Sequence, residues 1–194
     1  MEFKEMFLQR YSVLHDFYME GNWDLIPLEK MRQRPHPRLN SVAWIIWHML
    51  RAEDAGLNRF VTDGKQVIDQ GDWMEAMNLP YRHNGGDMTF AEVEALSQRV
   101  NLEGLHAYSR AVQESTRKVV EGIEKVNLSD VLTEERVRKV AVEEGLAFRE
   151  AEGMIQNYTG WSKGRVLMTH GLTHGFQHLG EIETIATLLG VVYE

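Results

Sequence analysis

The chain has 194 residues, 26% of them charged and 43% hydrophobic, with 21 Lys plus Arg against 29 Asp plus Glu and a formal charge of -8. That is the composition of one globular domain with a proper core, and it excludes a wholly disordered chain. The acidic balance argues against non-specific nucleic-acid binding, which depends on neutralising phosphates. There is no cysteine, so disulfides and thiolate metal sites are excluded, and a reduced cytosol is the natural setting.

The longest uncharged runs, Leu39 to Leu50 and Val166 to Gly180, contain histidine and fall short of the roughly 20 apolar residues of a membrane span. The N-terminal stretch carries acids and has no apolar signal region. The expectation is a single cytoplasmic domain over residues 1–194, with a small-molecule partner and neither nucleic acid nor membrane.

Apolar residues recur with a period near 3.6, and no segment sustains a period of two. The first helix is expected from about Glu2 to Glu20, with Phe3, Phe7, Tyr11, Leu14 and Tyr18 on one stripe and Gly21 as its stop. The connector that follows holds Pro27, Pro35 and Pro37 and reads as loop. Asn40 or Ser41 then caps a second helix, about Ser41 to Val61. Its start, Val42 to Trp47, is apolar nearly all round, the pattern of a core helix.

Residues 62–88 contain Asp63-Gly64, Gly71-Asp72 and Asn84-Gly85-Gly86, and read as a long loop that is functional or wraps the core. Thr89 and Glu92 form a capping box for a short helix. Asn101 caps a third long helix, about Leu102 to Val126, with a stripe of Leu105, Tyr108, Val112, Val119 and Ile123. Residues 127–161 read as an extended connection with two short helices, one capped by Thr133 and ended by Gly145. Ser162 caps the last helix, roughly Lys163 to Leu189, and Gly190 stops it. Four long amphipathic segments, with long connections before the third and the last, give an all-α four-helix bundle.

The histidines carry the chemistry. Three lie at His170-x-x-x-His174-x-x-x-His178 in the last helix. At 100° per residue, positions four apart drift by about 40°, so all three share a face. Eight histidines in a chain of this length would give about 0.01 such triples by chance. Imidazoles one turn apart suit a single metal ion, and a third ligand must come from elsewhere. His48 is the candidate, because it interrupts an apolar run where an unpaired polar group costs about 1–3 kcal/mol. A plain hydrogen bond would also satisfy it. For His170 the alternatives are ligand, support for a ligand, or substrate contact. For Glu181, three residues past His178, they are orienting a ligand imidazole or lying solvated on the surface. Three imidazoles leave coordination positions open, as in catalytic rather than closed structural sites, and zinc and nickel both suit such donors.

At these residues the sequence resembles the DinB-like (DinB/YfiT) family of metal-binding four-helix bundles. One anchor is Pro37-Arg-Leu-Asn-Ser-Val-Ala-Trp-Ile-Ile-Trp-His-Met-Leu-Arg-Ala-Glu-Asp54. The other is Thr169-His-Gly-Leu-Thr-His-Gly-Phe-Gln-His-Leu-Gly-Glu-Ile182. The family motif there is a His-x-x-x-His pair followed by x-Gly-Gln-Ile or a close variant. His174 and His178 fall on the pair, His48 on the second-helix ligand, and Glu181 stands where the motif has Gln. The resemblance implies an up-down-down-up bundle, a divalent metal in a triple-histidine site and a homodimer. It also implies kinship with transferases that use a low-molecular-weight thiol. The expected function is therefore a thiol transferase with metal ligands His48, His174 and His178 and with His170 or Glu181 as the base. The alternatives are a metal-dependent hydrolase and a non-catalytic metal-binding module.

Other signals are weaker. Glu103-x-x-His106 lacks the second motif of a di-iron site. His15, one position off the first helix's stripe, reads as structural, with lining the site as the alternative; His36 and His83 read as solvated loop residues, and Gly85-Gly86 as a turn. Trp44, Trp47 and Trp161 read as core or pocket wall. For Glu53 and Asp54 the options are capping, pairing with Arg51 or Arg59, or lining a pocket.

Overall fold

The computed structural model describes residues 2–193. Among them there is no strand; the one β-type contact is an isolated bridge between Val131 and Ser162. The four longest helices are labelled α1 (3–25), α2 (42–61), α3 (Leu102–Glu121) and α4 (163–188). Each packs on two of the others, in the cyclic order α1–α3–α2–α4.

Caps set these helices as expected. Ser41 accepts from the Trp44 amide, Asn101 from the amides of Glu103 and Gly104, and Ser162 from the Arg165 amide. Each satisfies a donor that the first turn leaves open. Thr89 and Glu92 make a reciprocal box at the start of Phe90–Arg99, and Thr133 caps Glu134–Arg138. Gly145 and Gly190 end their helices at φ of 70° and 78°, a region where glycine carries no Cβ penalty.

The first helix departs from expectation. It runs through Gly21 to Leu25, because Asn22 and Trp23 are drawn into the core and their burial holds the extra turn. It stops at Ile26, which is extended because Pro27 follows. The stripe also ends early. Phe7, Tyr11 and Leu14 are buried while Phe3 and Tyr18 are exposed. The proline-bearing connector keeps one helical turn, Leu28–Met31, and is otherwise irregular.

Three of the long helices contain a π-helical turn: Val13–Met19 in α1, Ala55–Val61 in α2 and Thr169–Thr173 in α4. The first and last of these hold His15 and His170. Such bulges are rare and concentrate at functional sites.

The apolar core falls into two clusters. One surrounds Val42 to Leu50 of α2, and the other joins Phe7, Ala55, Leu57 and Phe60 to Val166 and Leu167. Where α2 passes between them, Arg51, Glu53, Asp54 and Asn58 are all buried. Charges placed there must be paired to be tolerated.

The 62–88 segment wraps this core. It includes Val67–Asp69 and the single turn Trp73–Ala76, and it buries Gln66, Val67, Ile68, Met77 and Leu79. Residues 127–161 hold two short helical stretches, 134–143 and Ala151–Tyr158. No described helix is long and apolar enough to cross a membrane.

Candidate metal centre

The apolar run that makes α2 a core helix carries His48 inward towards α4. Trp44, one turn earlier, stacks on the His48 ring with centroids 4.9 Å apart and planes 5° from parallel. His48 Nδ1 lies 2.6 Å from the Asn84 carbonyl oxygen. A carbonyl only accepts, so Nδ1 carries the proton and Nε2 is left with a free lone pair.

On α4, His178 is oriented in the same manner. Its Nδ1 donates to Glu181 Oε2 at 2.8 Å, which again frees Nε2. Asn40 Nδ2 reaches the other oxygen of that carboxylate at 3.5 Å. His174 completes the group, its Nε2 standing 3.1 Å from His178 Nε2. Two lone pairs at that distance repel unless a proton or a cation lies between them.

His48, His174 and His178 each offer one ring nitrogen, and the three nitrogens lie within 4.8 Å of one another. Nitrogens bonded to one zinc ion at about 2.1 Å stand about 3–4 Å apart, so the spacing suits a shared ion. All three residues are half-buried, so none is sealed in the core.

The electrostatics favour the ligand form. Burial, together with the neighbouring His48, His178 and His170, pushes the His174 pKa down to about 2. Burial also pushes His48 down to about 4 despite its bond to the Asn84 carbonyl. Both are therefore neutral imidazoles at pH 7, the state that binds metal. The bond from His178 holds the Glu181 carboxyl below its usual range, against the effect of its own burial.

His170 stands apart from the three. Its ring is 5.7 Å from that of His174 and stacks on Tyr158, whose hydroxyl is 2.8 Å from His170 Nε2. Nδ1 is buried without a partner. Burial pushes this pKa down to about 4. Gly56 makes room for the ring, since a Cβ there would come within 2.8 Å of His170 Cβ and Cγ.

The matching family model is described as the DinB superfamily, and it spans residues 18–182. The chain belongs to the DinB superfamily. A conserved protein of Enterococcus faecalis, known from a crystal structure, superposes on this DinB chain with a TM-score of 0.70 at 17% identity, covering 97% of each. At that identity the likeness shows the fold alone. No curated protein matches the sequence.

The DinB superfamily is metal-binding, and the triple-histidine cluster of this member has the donor set for a divalent ion. Other sequence readings divide. His106 pairs with Glu20 and stacks on Trp23, while Glu103 is exposed, so the Glu-x-x-His match builds no shared site. His36 is exposed as expected. His83 is not solvated. It is 7% exposed, stacked on Phe148 at 4.3 Å and set edge-on to Trp47, because the loop that carries it folds inward. Burial lowers its pKa as well.

His15 is buried 3.4 Å from Glu53 Oε2, and the hydroxyls of Tyr11 and Thr116 donate to Glu53 Oε1 at 2.5 and 2.6 Å. Residues that the sequence reading missed are Asn84, which acts through its backbone carbonyl, and Tyr158, the partner of His170. Trp44 was accessible, being one turn before His48.

Proposed function

We propose that this DinB-superfamily protein is a metal-dependent enzyme that transfers a low-molecular-weight thiol to an electrophilic small molecule. Nε2 of His48, His174 and His178 would hold the divalent ion, zinc or nickel. When bound, such an ion lowers the pKa of a thiol and so supplies thiolate, the reactive form, at neutral pH. The carrying observation is the gathering of three half-buried imidazoles on two helices, with one ring nitrogen of each within 4.8 Å of the others. The chain has no cysteine of its own, so the sulfur nucleophile must arrive with a substrate.

The chain's own residues have distinct tasks. The Asn84 carbonyl and Trp44 fix the His48 ring, and Glu181 fixes that of His178 while adding negative charge beside it. His170, neutral and with Nδ1 unpaired, is the group proposed to move a proton, with Tyr158 setting its tautomer. Glu181 is the second candidate for that task. The base takes the thiol proton; thiolate attack then forms the carbon–sulfur bond as the electrophile's leaving group departs with its bonding pair, and the base returns the proton to that group. The proposal takes the protein as a cytoplasmic homodimer, on the sequence reading and the family resemblance.

The test is a metal titration followed by thermal melting, then a thiol-conjugation screen on the metal-loaded protein. Added thiol should alter the visible spectrum of the cobalt-substituted protein. A cobalt spectrum that no thiol alters counts against the transferase. Metal-dependent ester or amide cleavage without thiol would favour a hydrolase instead.

A further inference from the structure

His48 is held by a loop, and a loop carbonyl has no helix or sheet to fix it. Asn84 lies in the 62–88 segment, and its own amide donates to the Leu146 carbonyl. Two residues earlier, the Arg82 carbonyl accepts two bonds from the Arg51 guanidinium, from Nε at 3.0 Å and Nη2 at 2.7 Å. Arg51 is three residues past His48 on α2, on the same side of the helix.

The same guanidinium grips the other end of the loop. Nη2 donates to Gln66 Oε1 at 2.8 Å. Nη1 donates to Asp54 Oδ2 at 2.9 Å and to the Tyr108 hydroxyl at 2.8 Å. All five guanidinium donors are thereby used, which no lysine can reproduce. Asp54 in turn accepts the backbone amides of Val67 at 2.7 Å and Ile68 at 3.0 Å. Arg51 and Asp54 are both fully buried.

A buried ion pair is a poor source of stability, since well-packed apolar residues often do as well. What an apolar pair would not supply is register. This pair ties residues 66–68 and residue 82 to the turn of α2 that follows His48.

We propose that Arg51, locked by Asp54, is a positioning residue for the metal ligand His48: it sets the backbone of residues 82–84 so that the Asn84 carbonyl stays on His48 Nδ1. The inference rests on the reading that His48 binds metal. It adds that the ligand's orientation is set from its own helix, by way of the loop.

The test uses the full-length protein, titrated with cobalt(II) against a competing chelator, with thermal melting of the metal-free form alongside. Arg51→Lys is expected to weaken cobalt binding about 10- to 100-fold and to shift the ligand-field bands. Tyr108→Phe removes a hydroxyl from the same ion pair but no bond to the loop. It is expected to melt lower and bind cobalt as the unaltered protein does.

Should Arg51→Lys fail to fold, Gln66→Met removes only one loop contact, with an expected loss of about 3- to 10-fold. Unchanged affinity and spectrum in Arg51→Lys, or in Gln66→Met where that stands in, overturn the inference. So does an equal loss in Tyr108→Phe, which would mark the effect as general destabilisation. If the unaltered protein binds no cobalt, the metal reading fails and takes the inference with it.

Discussion

His174 and His178, one turn apart on α4, face each other through Nε2 atoms 3.1 Å apart, with His48 turned towards both from α2. Helical spacing brings the first two together, and packing of α2 on α4 brings the third. Removing any one should break the set. His174→Ala is expected to weaken zinc or nickel binding by more than the roughly 10- to 100-fold typical of residues that merely support a ligand. Isothermal titration reads this directly, and a loss under tenfold would remove His174 from the ligand set.

Glu181 separates orientation from charge. Glu181→Gln keeps an oxygen that can accept from His178 Nδ1, and the family motif carries Gln there. Affinity is expected to stay within about tenfold of the starting value, while Glu181→Ala should cost about 10- to 100-fold. Equal losses in both variants would show that the negative charge, not the orientation, carries the effect.

Acid should unfold the metal-free protein through its histidines. In the folded state the pKa of His48 and of His170 is pushed down to about 4 and that of His174 to about 2, against an unfolded value near 6.5. Between those values the unfolded chain binds more protons. Stability is therefore full above about pH 6.5 and falls as the pH drops towards 4, by up to about 1.4 kcal/mol per pH unit for each histidine. Urea melts at pH 7, 6 and 5 check this; a midpoint that holds steady or rises on acidification would contradict it.

Gly56 on α2 has His170 where a side chain would go. Gly56→Ala forces the His170 ring or the helix to move and is expected to cost about 1–3 kcal/mol. Denaturant unfolding measures the cost. The His170→Ala background should relieve most of it, and a Gly56→Ala protein as stable as the parent would show that the ring is not confined.

Much of this was legible in the sequence, for identifiable reasons. Ser41, Thr89, Asn101, Thr133 and Ser162 cap where a polar residue precedes an apolar-periodic run, because capping is a local hydrogen bond with a local signature. His48 stood out because a polar ring in an apolar run needs a partner. Other features had no such signature. Gly21 does not stop α1, because burial of Trp23 outweighs a local stop signal. His83 is buried although it sits among turn residues, since loop burial depends on where the whole segment folds back. Asn84 holds His48 through a backbone atom, which any residue but its neighbours' geometry would leave unmarked. Arg51 was visible only as a partner for Glu53 or Asp54. The structure gives it to Asp54 and gives Glu53 to Tyr11, Thr116 and His15.

The most direct measurement is a chelator-competition titration of the metal-stripped protein with zinc and with nickel, run beside His48→Ala. One tightly bound ion per chain, lost when His48 is replaced, is the expected result. No binding, or binding that His48→Ala leaves unchanged, would contradict the site.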